Sequence, residues 1–217
     1  GFRVDPGDYV VTIKRGDVEM SHPLKVAEDP RIEFSVADRE KKRAALNRIL
    51  PIVMQAQQAQ QGIVQMRTNL NTAIEAWKRP GGPRISQNIR EAAEALLKKV
   101  DEAYKNWGTP PSLVSNISQA GPPLVELPTP LNQRAAQLLT AMENTSGPPT
   151  EWELAQIEIL AKRIPDAANE VRQLITVDLA ALNKMAIDAQ IPLVQPPLVG
   201  GGPGQRPPGT EDYDQEN

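Results

Sequence analysis

Residues 45–77 read ALNRILPIVMQAQQAQQGIVQMRTNLNTAIEAW, and this stretch decides the fold. Apolar or small side chains fall at Ala45, Ile49, Ile52, Ala56, Ala59, Ile63, Met66, Leu70, Ala73 and Trp77. The steps alternate between four and three residues, which is the seam of a helix that buries one stripe against partners. The seam passes through Pro51 without losing phase, so a kink is expected there rather than a break. Gly62 is a second weak point. Ser35, with Asp38 three residues later, reads as the N-cap of this helix. Pro80-Gly81-Gly82-Pro83 ends it. At about 1.5 Å per residue, 36–79 makes a rod of roughly 65 Å.

Three further helical seams follow. Ser86 opens one that carries Ile89, Ala93, Leu96, Val100, Ala103 and Trp107, and Gly108-Thr109-Pro110-Pro111 stops it. A shorter one carries Leu131, Ala135, Leu138 and Met142. The last opens at Thr150, with Glu153 completing a capping box. Its seam runs through Ile157, Leu160, Ile164, Ala168, Val171, Ile175, Leu179, Leu182 and Met185, past Pro165. Ser146-Gly147-Pro148-Pro149 is a tight connection, so the third and fourth helices should be antiparallel neighbours. Residues 112–129 lack a helical period. They read as an extended strap along the bundle, anchored by Leu113, Val114, Ile117, Leu124, Val125 and Leu127.

Before the first helix, the pattern is β. Asp5-Pro6-Gly7-Asp8 is a turn. Tyr9, Val11 and Ile13 alternate onto one face of a strand, Arg15-Gly16-Asp17 turns the chain, and Val18, Met20, Leu24 and Val26 mark the return. Two strands alone are marginal in water, so the hairpin should close a sandwich or lie against another surface. The expected class is mainly α: an elongated bundle of two long and two shorter helices with an N-terminal β-hairpin and an extended Gly/Pro-rich tail. The expected divisions are 1–34 for the hairpin, 35–193 for the bundle and 194–217 for the acidic tail.

The chain has 217 residues, with 24 Lys+Arg against 27 Asp+Glu. That balance disfavours nucleic acid as a partner, because phosphate binding needs a basic surface. There is no Cys and a single His, which removes disulfides, thiolate metal sites and cysteine nucleophiles and leaves little for zinc or Ser–His chemistry. No apolar run approaches the roughly 20 residues of a membrane helix. The acids do not form a catalytic pair either. Glu91/Glu94 and Glu151/Glu153 sit in first turns, where they complement the helix dipole. Glu143, Glu158, Glu170 and Asp178 fall near a solvent face. Arg15-Gly16-Asp17 reads as a turn rather than an adhesion motif, and His22 as a strand-surface histidine. Asn116-Ile117-Ser118 and Asn144-Thr145-Ser146 fit the glycosylation sequon only weakly. The glutamines at 55, 57, 58, 60 and 61 form an uncharged polar face. No catalytic, cofactor-binding or metal-binding residue emerges, and no cofactor is expected.

Pro6-Gly7-Asp8-Tyr9-Val10-Val11, Gly16, Pro23-Leu24-Lys25-Val26 and Asp29-Pro30-Arg31 together resemble a recurrent ending. It is the last hairpin of the immunoglobulin-like segment in secreted bacterial sortilin-like, BNR-repeat β-propeller proteins, often labelled glycosyl hydrolases. The likeness continues in Asn132, Pro149-Thr150, Asp178-Leu179, Leu182-Asn183 and Ile191-Pro192. It implies a helical C-terminal appendage with the propeller absent, and an extracytoplasmic, periplasmic or secreted setting. The chain opens at Gly1 within a β pattern and reads as a piece of something longer. The functional expectation is a non-catalytic structural or interaction module, a scaffold or accessory subunit bound to protein partners. The alternatives are the C-terminal domain of a propeller glycoside hydrolase and a periplasmic accessory subunit of a respiratory or photosynthetic membrane complex. Residues 199–217 cannot bury enough apolar surface to offset their ordering entropy. They are expected to be ordered only along a neighbouring protein.

Overall fold

The computed structural model describes residues 4–27, 29–31, 34–79, 83, 85–108 and 129–197. The chain is mainly helical. Among the described residues, an antiparallel hairpin of β1 (Gly7–Arg15) and β2 (Val18–Val26) precedes four helices. These are α1 (Val36–Lys78), α2 (Gln87–Tyr104), α3 (Leu131–Asn144) and a long fourth helix. The fourth is built of α4 (Glu151–Gln173), a π-helical turn (Leu174–Asp178) and α5 (Leu179–Asp188).

Local chemistry sets the helix ends. The Ser35 hydroxyl accepts from the Asp38 backbone N–H at 3.1 Å. Thr150 and Glu153 form a reciprocal capping box, the Thr150 N–H donating to the Glu153 carboxylate at 2.7 Å. Ser86 occupies its N-cap position without a side-chain bond. Both Pro51 and Pro165 lie inside continuous helices. α1 is where every other helix meets, since α2, α3 and α4 all pack on it.

Cross-links give the directions. Arg48 pairs with Glu158 at 2.5 Å, and Gly62 lies beside Val171 and Ile175, so α1 and α4 rise in parallel. Arg67 pairs with Asp101 at 2.5 Å and lies 5.2 Å over the Tyr104 ring. With α1 ending at Lys78 and α2 beginning at Gln87, the late part of α2 meets α1 well before its end, so α2 descends against α1. Lys42, near the start of α1, reaches the Glu143 and Thr145 carbonyls at the end of α3. Thus α2 and α3 follow one descending track, end to end. The Leu131 N–H donates to the Asn106 carbonyl at 2.9 Å and ties the two ends together. The four helices therefore occupy three tracks, up, down and up, with the middle one divided. α3 and α4 are antiparallel neighbours across the Ser146–Pro149 turn, and Arg134 donates to Gln156 at 3.0 Å. The strap read at 112–129 lies outside the described residues apart from Thr129.

The core follows the seams with two departures. Ile63, Leu70, Leu96, Val100, Leu138, Ile164 and Val171 are buried as expected. In α1 Ile74 is buried and Ala73 half-buried before the stripe closes on Trp77, because a helix of 3.6 residues per turn drifts about 20° per heptad from a 3.5 repeat. In the fourth helix Leu174 and Ala186 are buried, while Ile175 and Met185 are partly buried. Buried positions there run Val171, Leu174, Leu179, and the five-residue step spans the π turn, which takes one more residue per hydrogen-bonded ring. Past α5 the chain stays packed. Ile191, Val194 and Pro197 are buried. The Asn183 amide bonds both the N–H and the carbonyl of Val194, at 3.0 and 2.9 Å.

Candidate interaction surface

Alternation and register give the hairpin two unlike faces. Opposite pairs are Tyr9/Leu24, Val11/His22, Ile13/Met20 and Arg15/Val18 on one side, and Asp8/Lys25, Val10/Pro23, Thr12/Ser21 and Lys14/Glu19 on the other. Gly16, at φ +58°, opens the two-residue loop with Asp17, a backbone that favours glycine. The second face is mainly polar and largely self-paired, apart from the exposed Val10 opposite Pro23. Thr12 and Ser21 share a hydrogen bond of 2.8 Å, and charges of opposite sign face each other at both ends.

The apolar face is open. Ile13 is 69% exposed, Met20 71% and Val18 64%, and Val11 and Leu24 are also exposed. An antiparallel sheet with one polar and one apolar face normally buries the apolar one on a core. Here the sheet has two strands, and its apolar face meets no helix among the described residues. The base of the hairpin is what joins the bundle. Asp5 pairs with Arg43, the Tyr9 hydroxyl donates to the Asp5 carbonyl at 2.7 Å, and Arg39 and Lys42 lie over the Phe34 ring at 5.5 and 5.8 Å. A cleft of about 390 Å³ between these groups and Glu143 marks the joint.

The acids singled out from the sequence are dispersed. Glu153 is spent in the capping box, Asp178 pairs with Lys99 at 2.6 Å, and Glu91 accepts from Gln87 at 2.8 Å. The hydrogen bond from Arg48 holds the Glu158 carboxyl below the ordinary carboxylate range. Glu94 and Glu170 are exposed and Glu143 half-buried, on different helices. His22 is exposed on the hairpin. Among the described residues no group of three His, Asp or Glu side chains could hold a metal ion, and no helix is long and apolar enough to cross a membrane.

A second surface was not legible in the sequence. Where α2 ends and α3 begins, a groove of about 710 Å³ runs between α3 and α4. Leu138 and Leu160 form part of its floor, Trp152 lines it at 65% exposure, and Lys105, Arg134 and Arg163 bring cations from three elements. Residues so far apart in sequence carry no common spacing, and only the divided middle track brings them together. Compared with protein-family models, curated proteins and solved structures, the chain matches none.

Proposed function

We propose that this chain is a non-catalytic structural module acting outside the cytoplasm, a scaffold or accessory subunit that engages a protein partner through the apolar face of its hairpin. The observation that carries the reading is the unlike character of the two hairpin faces, one mainly polar and largely self-paired, the other mainly apolar and open. A two-stranded sheet is marginal in water alone, and a covering layer supplies the missing burial. The placement of the acids in caps and surface ion pairs supports a non-catalytic role, since a general acid needs a desolvated carboxyl inside a cleft. The extracytoplasmic setting rests on the resemblance described above.

A second reading is favoured by the same face. As the last hairpin of an immunoglobulin-like sandwich in a longer propeller protein, it would be covered by strands of its own polypeptide. Intact mass of the protein from its native source, set beside its gene, separates the two readings. Methionine footprinting tests what they share. Met20 should oxidise readily in the isolated chain and be protected in native material, while Met54, 47% exposed on α1, oxidises alike in both. Equal oxidation of Met20 in the two preparations would sink both readings.

A further inference from the structure

The groove between α3 and α4 has a composition that asks for an anionic occupant. Arg134 is held by the neutral Gln156 amide at 3.0 Å, and among the described residues neither Arg134 nor Arg163 has a carboxylate partner. Lys105 pairs with Glu102 outside the groove wall. No carboxylate lines the groove among the described residues. Beside these cations stands the broad, exposed face of Trp152 over an apolar floor, a surface that suits proline and tyrosine as well as carboxylates.

The chain itself holds a segment of that chemistry. After Arg206 every charged residue is acidic: Glu211, Asp212, Asp214 and Glu216, interleaved with Tyr213 and preceded by Pro207-Pro208. We infer that the acidic segment 210–217 docks in the groove of its own bundle, its carboxylates on Arg134, Arg163 and Lys105 and its Tyr213 or prolines against Trp152. Reach permits it. The described chain ends at Pro197, just past the Asn183–Val194 hydrogen bonds. Asn183 lies 20 residues beyond Arg163 on the same track, about 30 Å at 1.5 Å per residue. Residues 198–210 span about 40 Å at the ~3.1 Å per residue of an extended proline-rich chain. The composition of the tail suggested a neighbouring protein as its support; the bundle provides a nearer surface of complementary charge.

Trp152 is the natural reporter, because Trp77 and Trp107 are only 5% and 2% exposed. In the full chain, acrylamide quenching should rise when the tail is neutralised by Glu211→Gln, Asp212→Asn, Asp214→Asn and Glu216→Gln together. These changes touch no residue of the described helices or their core, so they leave the bundle intact. Carbodiimide cross-linking of mixed ¹⁴N- and ¹⁵N-labelled chains then locates the contact. Links from Lys105 to Glu211, Asp212 or Asp214 should form within one chain and fall to the level of Lys14, the control on the hairpin, in Arg134→Glu/Arg163→Glu. Four results would each overturn the inference. They are quenching unchanged by neutralisation, links between chains only (a second copy's tail), links from Lys105 to Glu126 alone (the 109–128 segment as occupant), and links that survive the charge reversal.

Discussion

At Gly62 the absent side chain matters more for what it could become than for what it now allows. A Cβ built there meets Ile175 Cδ1 at 3.5 Å and Val171 Cγ1 at 3.7 Å, ordinary contact rather than collision. Its helical backbone suits alanine, so Gly62→Ala should stabilise the protein by about 0.5–1 kcal/mol, read from chemical denaturation. Gly62→Leu should destabilise it, because the same two side chains leave no room for a longer chain. A lower midpoint for the alanine variant would show that α1 and α4 sit closer than described. Glu158 gives a second test at this scale. Its carboxyl titrates low because Arg48 hydrogen-bonds the charged form, with a smaller attraction from Arg48 and Lys162. Arg48→Ala should therefore raise the Glu158 midpoint in a carboxyl NMR titration. The folded value lies below the unfolded one, so the pair's stabilisation is present above the unfolded pKa and is lost as pH falls through the folded one. Both side chains are about half exposed, so that contribution is small. A Glu158 midpoint indifferent to Arg48 would mean the ion pair does not form in solution.

Among the elements, the fourth helix is the most instructive. Its buried positions step from Leu174 to Leu179 across the π turn. Removing one exposed residue there, Thr176, turns that five-residue step into four and leaves a regular α seam through Leu182 and Ala186. The ΔThr176 variant should stay folded, with helical circular dichroism and a cooperative melt. Deleting the equally exposed Lys162 offers no such compensation. It rotates everything beyond by about 100° and should abolish cooperative unfolding. If the two deletions behaved alike, the π turn would not be the register device described. This turn also marks the limit of periodicity as evidence. The expected seam used Ile175 and Met185, regular positions on an α template, and missed Leu174 and Ala186. The five-residue gap between Leu174 and Leu179 was the available signal. Helix existence, caps and most buried residues were legible because they are local. Leu96, Val100 and Leu138 sit on their seams without exception. That α2 and α3 share one track was not legible, because a seam says which face is buried and not against what. The cationic groove was hidden for the same reason, its residues being contributed by α2's end, α3 and α4.

For the molecule as a whole, stability is unevenly distributed. Every described helix contributes to one continuous core, whereas among the described residues the hairpin meets the bundle at its base. Native-state hydrogen exchange of the isolated chain should therefore show the amides of Val10–Ile13 opening far more easily than those of Ile63 or Leu96, which report global unfolding. Equal protection would mean that the hairpin is covered even in the isolated chain. The layout has a mechanical side too. α1 begins at the hairpin and is the helix on which the others rest. A pull transmitted through the hairpin would load α1 along its axis, against the whole length of its seam at once. Tearing it free requires sliding a 43-residue helix past three neighbours together. Peeling contacts one turn at a time is not open to a load in that direction. Such an arrangement resists tension as a shear joint does, and anything fastened to the hairpin is anchored to the full length of the bundle.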